Sequence, residues 1–313
     1  VDESAVTVVI EPVPSGEGAA AIHFEPAVGD YVRIREASVV TVREGRSRVR
    51  VDAVPRPHHL ELTILGQVKA DGGVDLTRRR VDDPIQFAAE AMRAALLAED
   101  IAIGKRIERG RVPRTAKQLV AHDSAPLADV IRRMNKQSDN FIAESLLKTL
   151  GAERKAQAAP PNTEVAPATW TDGQAAVTEF LVGEVGLAAG SFRAENGSGL
   201  YEASAVPALA LARVVAHAER DFRWGPDLIA SLAIAGVDGT LRKHLAGTAN
   251  AGRVRAKTGT LAKVSTLAGL LAVDGRHPLA FAILMNNLPD GGRAAARTLQ
   301  DEILIAALGY AAP

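Results

Sequence analysis

The sequence predicts an α+β fold, an antiparallel sheet covered by helices, with a β-rich module ahead of it. Three observations carry this expectation. Short β-branched runs separated by turn residues fill about the first 70 positions. From Ser124 the pattern turns helical. Near the C-terminus two apolar β-type runs flank Asp274-Gly275, a favoured hairpin pair, ahead of an amphipathic closing helix.

Taken in order, residues 6–10, 39–42, 49–51 and 60–65 read as strands broken by Pro- and Gly-containing turns. A helix starts at about Asp83, where Asp82-Asp83-Pro84 supplies a cap with Pro in the first turn, and Ala88, Met92 and Leu96 recur at i, i+4 as its apolar line. Residues 104–118, rich in Arg and Lys, read as a solvated connection with at most one strand. Leu127, Val130, Ile131 and Met134 fall at i, i+3, i+4, i+7, the stripe of an amphipathic helix. The next helix is expected over 140–150 with Gly151 ending it. Residues 155–171, with Pro160-Pro161 and Pro167, read as a surface loop, and the following helix turns Val177, Phe180 and Leu181 inward. Strands over 253–258, 264–273 and 279–287 and a helix over 293–308, with Leu299, Ile303 and Leu308 on one side, complete the sheet and its cover. The expected domains are residues 1–118 and 119–313.

Composition narrows the classes of function. The 313 residues are 47% hydrophobic, enough for two domains with real cores, and 37 basic residues balance 37 acidic ones. No net field draws the chain to nucleic acid or an anionic membrane. No run approaches the roughly 18 to 20 apolar residues of a membrane span, and Val1-Asp2-Glu3-Ser4 lacks the charged and apolar regions of a signal peptide. With a β-type run beginning at Ala5 and no initiator Met, residue 1 reads as a cut end. Zero Cys removes disulfides, thiolate metal sites and a Cys nucleophile. The seven His are scattered, and the pair His58-His59 lacks ligand spacing and reads as an exposed turn, so no metal and no cofactor is implied.

Two short motifs carry chemistry. Ser138-Asp139-Asn140 lies between two expected helices, where a loop can present Ser138 as a proton relay and Asn140 as an amide clamp while Asp139 stays out of the chemistry. Lys257-Thr258-Gly259-Thr260 ends a strand: Gly259 lets a substrate backbone lie close, the Thr260 N–H can face a developing oxyanion, and Lys257 with the Thr hydroxyls can hold a carboxylate. Arg253 and Arg255 add positive potential. Each motif alone is better read as a helix cap or a strand end; their co-occurrence in this order and texture favours acyl transfer. Asn196-Gly197-Ser198-Gly199-Leu200 is a tight loop at a cleft rim or a turn before a helix near Ser204, with Ser198 a candidate for substrate contact. Residues 236–241, Gly-Val-Asp-Gly-Thr-Leu, read as a Gly-bounded turn without chemistry.

Acyl transfer also needs an activated nucleophile, in this motif set a Ser followed three residues later by Lys. The formal match, Ser145-Leu146-Leu147-Lys148, sits seven residues past Ser138 on the same expected helix, roughly 10 Å away at about 1.5 Å per residue. The two hydroxyls could not meet at one carbonyl, and Lys148 has a ready i−4 partner in Glu144.

These residues together resemble the low-molecular-mass class C penicillin-binding proteins, the D-alanyl-D-alanine carboxypeptidase/endopeptidases. Residues 134–144 (Met-Asn-Lys-Gln-Ser-Asp-Asn-Phe-Ile-Ala-Glu) are similar to the family's second motif, 252–261 (Gly-Arg-Val-Arg-Ala-Lys-Thr-Gly-Thr-Leu) to its third, and 196–200 to its Asp-Gly-Ser-Gly-Leu segment, with Asn196 for Asp and Tyr201 where Ser is frequent. Residues 6–12 and 31–35 resemble the β-rich modules inserted in its transpeptidase domain. The resemblance implies a penicillin-binding transpeptidase-like domain lacking its N-terminal part, with the Ser-x-x-Lys segment upstream of residue 1. It further implies a serine DD-peptidase acting outside the cytoplasmic membrane, in the periplasm or an equivalent compartment. Peptidoglycan stem peptides are the implied substrates and β-lactams the inhibitors. Ser138, Asn140 and Lys257 take catalytic roles under this reading, and Thr258, Gly259, Thr260 and Ser198 bind substrate. The alternatives are a non-catalytic peptidoglycan-binding or scaffold protein of the same fold, and a serine β-lactamase, which the long β-rich module disfavours.

Overall fold

The computed structural model describes residues 4–310 other than Lys105, Arg114, Asn162 and Glu202; Val1, Asp2 and Glu3, where the cut end is expected, lie outside the described residues. The chain divides into two compact units, Val1–Val120 and Ala121–Pro313. Among the described residues no helix is long and apolar enough to cross a membrane.

The first unit holds β1 (Ala5–Glu11), β2 (Gly18–Ala19), β3 (Ala21–Glu25), β4 (Val32–Val42), β5 (Arg48–Arg56), β6 (His59–Lys69), β7 (Asp75–Arg80) and α1 (Pro84–Ala98). One antiparallel sheet runs β3-β1-β7; the other runs β2-β4-β6-β5, with β4 and β6 parallel. Alternation along β6 sends Leu60, Leu62 and Ile64 inward, where they meet Val6, Val8 and Ile10 of β1. His58 is exposed with φ +65° at the β5–β6 turn.

In α1 the Asp83 side chain accepts from the Gln86 N–H at 3.1 Å and Pro84 opens the first turn. Its inward face differs from the expected line: Met92 is 62% exposed, while Phe87, Glu90, Ala91 and Arg93 are buried. Phe87 packs tilted against Tyr31 at 5.3 Å between ring centroids, and Arg93 joins Glu90 (2.9 Å) and Asp30 (2.8 Å). An aromatic contact and a satisfied ion cluster thus set the helix rotation that the aliphatic spacing missed. The described residues of 101–126 contain neither helix nor strand, so the strand considered for the basic connection is absent there.

The second unit holds α2 (Leu127–Gln137), α3 (Asn140–Ala158), α4 (Trp170–Gly183), α5 (Ala208–Arg220), α6 (Gly225–Ser231), β8 (Ala233–Ile234), β9 (Val254–Leu261), β10 (Val264–Leu271), β11 (Leu279–Met285) and α7 (Arg293–Leu308). Its sheet is antiparallel throughout in the order β11-β10-β9-β8. The core joins Leu241, Leu245, Val254, Ala256, Leu267 and Leu271 to Leu304 and Leu308 of α7.

Two local expectations are corrected. Gly151 does not end α3, which runs to Ala158; a Cβ there would lie 2.6 Å from the Gly173 N, and one on Gly173 would lie 2.2 Å from the Leu147 carbonyl oxygen. The glycines let α3 and α4 cross at backbone contact rather than punctuating either. On α7 the buried side is Ala296, Gln300, Leu304 and Leu308, with Leu299 and Ile303 turned outward; Gln300 Nε2 donates to Ser265 Oγ at 3.2 Å, so a paired amide occupies a core position that aliphatic counting gave to leucine.

Candidate active site

Ser-Asp-Asn is a corner between two helices. Ser138 closes α2 in the left-handed region (φ +57°, ψ +50°), a conformation costly for a residue with a Cβ, with the next N–H, that of Asp139, bonded back to the Met134 carbonyl at 3.0 Å. Asp139 then caps α3, accepting from the Ile142 N–H at 3.1 Å, which accounts for its carboxylate structurally. Asn140, the first residue of α3, is exposed. The corner is anchored from behind. Asn135 Nδ2 donates to Ser231 Oγ at 2.7 Å, and Lys136 Nζ pairs with Asp238 at 2.6 Å, whose other oxygen accepts from the Ile234 N–H at 2.8 Å.

Lys257 lies on β9, where alternation places it on the sheet face opposite Val254 and Ala256 of the core. Its Nζ donates to Ser138 Oγ and to the Thr258 carbonyl, both at 2.7 Å. Burial disfavours its charged form and pushes its pKa down to about 8. Thr258 Oγ1 donates to Thr240 Oγ1 at 2.8 Å. Gly259 and Thr260 follow on the same strand, paired with Thr266 and Ser265 of β10, and Thr260 is exposed. Ser138, Lys257 and Thr258 are therefore brought together from α2 and β9, with Asn140, Gly259 and Thr260 on the segments that continue from them.

Thr240 belongs to the 3-10 turn Gly239–Leu241, the Gly-bounded segment read from sequence as carrying no chemistry. Its neighbour Asp238 holds Lys136, and a Cβ on Gly239 (φ +55°) would lie 2.8 Å from the Lys136 carbonyl. This turn is fitted against the end of α2. The signal available was the Lys beside Ser-Asp-Asn and the two glycines bounding an Asp.

Ser198 goes elsewhere. Its hydroxyl donates to Glu144 Oε1 at 2.6 Å and its N–H to the same oxygen at 3.0 Å, while Gly197 N and Trp170 Nε1 reach Oε2 at 3.3 and 3.0 Å. Burial alone would raise the Glu144 carboxyl, but these donors outweigh it and hold it below the usual carboxylate range. The Glu144–Lys148 pair expected from i−4 spacing is replaced: Lys148 Nζ sits 4.4 Å from the centre of the Trp170 ring. Likewise Arg253 is turned to the β10–β11 hairpin, bonded to Asp274 at 3.0 Å and to the Ala272 carbonyl, rather than lending charge to the site. Replacing Glu144 by Ala is expected to release loop 196–200 at a cost of about 1–3 kcal/mol. Amide hydrogen exchange at Gly197 and Ser198 reads this directly, and unchanged protection there would refute the clamp.

The profile of the D-Ala-D-Ala carboxypeptidase 3 (S13) family matches residues 1–307. The chain is 29% identical over 310 residues to a D-alanyl-D-alanine carboxypeptidase of Actinomadura sp. (strain R39), covering 96% of this chain and 54% of that protein. It is 31% identical over 247 residues to carboxypeptidase DacB of Mycolicibacterium smegmatis, covering 75% of this chain and 50% of that protein. The chain thus spans about half the length of these curated relatives. In fold it resembles penicillin-binding protein 4 (dacB) of Haemophilus influenzae in complex with a β-lactam, with a TM-score of 0.73 at 21% identity over 99% of this chain and 70% of the other.

Proposed function

Because this chain belongs to the D-Ala-D-Ala carboxypeptidase 3 (S13) family, we propose that residues 121–313 supply two walls of a serine DD-peptidase cleft that cleaves the D-Ala-D-Ala end of peptidoglycan stem peptides. Residues 1–120 are the remainder of an inserted β-rich module in this reading, and the protein works outside the cytoplasmic membrane.

The observation that carries the proposal is the 2.7 Å hydrogen bond from Lys257 Nζ to Ser138 Oγ, a cation of lowered pKa against a hydroxyl held at a helix corner. A serine hydroxyl adds to the peptide carbonyl and gives up its proton. Ser138, polarised by Lys257, relays a proton to the departing D-Ala nitrogen, leaving an acyl-enzyme. Water then attacks the ester, releasing the shortened peptide and restoring the serine. Lys257 with Thr258 and Thr260 holds the substrate carboxylate, the Thr260 N–H supports the oxyanion, and Asn140 clamps a substrate amide. Ser198 acts through the Glu144-held loop at the rim. β-Lactams acylate the same serine.

The attacking serine is assigned to a Ser-x-x-Lys segment outside this sequence. Ser145 is a poor substitute, since its Lys148 is engaged by Trp170. Labelling the natural polypeptide that carries this chain with fluorescent penicillin, followed by peptide mass mapping, tests the assignment. The adduct is expected on a serine outside residues 1–313; an adduct on Ser138 or Ser145 would overturn it.

A further inference from the structure

Thr258 and Thr240 form a hydroxyl pair next to Lys257, joined at 2.8 Å between β9 and the turn Gly239–Leu241. In this arrangement the Thr258 proton is directed at Thr240 Oγ1, and a hydroxyl has only one proton, so it cannot also go to a substrate carboxylate. Among the described residues the Thr240 hydroxyl makes no other hydrogen bond, which leaves its own proton uncommitted.

Thr240 is held more firmly than an exposed turn threonine requires. On one side Asp238 accepts from Lys136 Nζ at 2.6 Å and from the Ile234 N–H at 2.8 Å. On the other, Leu241 is fully buried in the core, and its carbonyl accepts from the Gly236 N–H at 3.1 Å. Between them Gly239 takes φ +55°, and the 2.8 Å from a Cβ there to the Lys136 carbonyl seats the turn directly on the last turn of α2. Lys136 precedes Ser138 by two residues, so one ion pair fixes both the Ser138 corner and the turn that carries Thr240. Stability does not account for the hydroxyl pair, since Thr240 is exposed and water would serve its oxygen equally well.

We propose that Thr240 is a positioning residue for the substrate carboxylate, acting through Thr258. When a carboxylate is held beside Lys257, both O–H bonds rotate: Thr240 donates to Thr258 Oγ1, and Thr258 donates to the carboxylate. No proton changes owner, and the bond between the two hydroxyls survives with its direction reversed. Each O–H in such a chain polarises the next toward the anion, so Thr240 both aims and strengthens the bond that Thr258 gives. The inference rests on the peptidase reading, in which Lys257, Thr258 and Thr260 hold the carboxylate, and makes Thr240 a determinant of the preference for a charged end over a neutral one.

The natural polypeptide that carries this chain is assayed with a peptide ending in D-Ala-D-Ala and with the C-terminal carboxamide of that peptide, the amide being measured as a competing ligand if it is not cleaved. Thr240→Val removes the hydroxyl and keeps the branched shape. It is expected to raise KM for the acid about tenfold with kcat nearly unchanged, and to shift the amide by less than about twofold. Thr240→Ser restores the hydroxyl and is expected to return KM to within about twofold of the parent. In a Thr258→Val background, Thr240→Val is expected to have no further effect, because the group it acts through is gone. Should Thr240→Val fail to fold, Thr240→Ala is the substitute. An unchanged KM for the acid in the folded variant, an equal rise for acid and amide, or a full effect persisting without the Thr258 hydroxyl would each overturn the proposal and leave the peptidase reading standing. A parent polypeptide that cleaves neither peptide overturns that reading and this inference with it.

Discussion

Replacing Lys257 by Ala is expected to lower the acylation rate of the natural polypeptide, by penicillin or by a D-Ala-D-Ala peptide, by about 10³-fold. The side chain is asked to hold a carboxylate and to polarise the Ser138 hydroxyl, and its removal takes both away at once. Arg at this position does not rescue, because its planar, branched guanidinium cannot take the place of the compact ammonium between Ser138 Oγ and the Thr258 carbonyl. The pKa of about 8 adds two pH signatures. Holding a carboxylate requires the ammonium form, so kcat/KM falls as pH rises through about 8, and this alkaline limb disappears in the Ala variant. For stability, burial has depressed the folded-state value from 10.5. Between about 8 and 10.5 the unfolded chain therefore binds more protons than the folded one, and stability rises with pH across that window. Below about 8 the penalty for burying the cation is present in full. Urea unfolding at several pH values should show this rise in the parent chain and lose it in Lys257→Met. A Met variant that keeps the slope would sink the assignment of the shift to Lys257, and a Lys257→Ala enzyme acylated at the parent rate would remove its catalytic role.

The placement of both candidate motifs was legible in the sequence because each is a contiguous run whose local structure is set by its own residues: a corner between helices and the end of a strand. The antiparallel sheet, its Asp274-Gly275 hairpin and the limits of α7 were legible for the same reason, since pattern and turn chemistry agree there. What escaped depends on which partner a face finds. Met92 and Leu299 fit an apolar spacing, yet Phe87 with its ion cluster and Gln300 with Ser265 took the buried positions. Gly151 has the composition of a helix end and the job of a helix crossing. Glu144, spaced to pair with Lys148, instead gathers four donors from Trp170 and loop 196–200, and that choice is visible only once α3 and the loop are adjacent. Thr240 was passed over because a Gly-bounded turn is common; its place against Thr258 comes from the way Lys136 and Asp238 lock the turn to α2.

Two glycines on the β9–β10 pair are expected to respond to very different degrees to the same substitution. A Cβ on Gly269 would lie 2.0 Å from the Arg255 carbonyl oxygen and 2.5 Å from the Ala256 Cα, both backbone atoms of the strand that carries Lys257. Neither can rotate aside, so Gly269→Ala has to push β10 off β9 and is expected to cost about 3 kcal/mol or more. A Cβ on Gly259 would also meet its neighbour closely, 2.3 Å from Thr266 Oγ1, but that atom ends a side chain that can change rotamer. The hydroxyl gives up only a long 3.4 Å contact with the Gly259 carbonyl, so Gly259→Ala is expected to cost about 1 kcal/mol. Denaturant midpoints of the two variants measured side by side decide the matter, equal losses being the result that would defeat it. Because β9, which loses its pairing with β10, carries Lys257 and its hydrogen bond to Ser138, the natural polypeptide with Gly269→Ala should lose penicillin labelling together with stability. The coupling follows from the position of Lys257: its Nζ reaches Ser138 only while β9 keeps its register, Lys257 opposite Ala268 and Ala256 opposite Gly269.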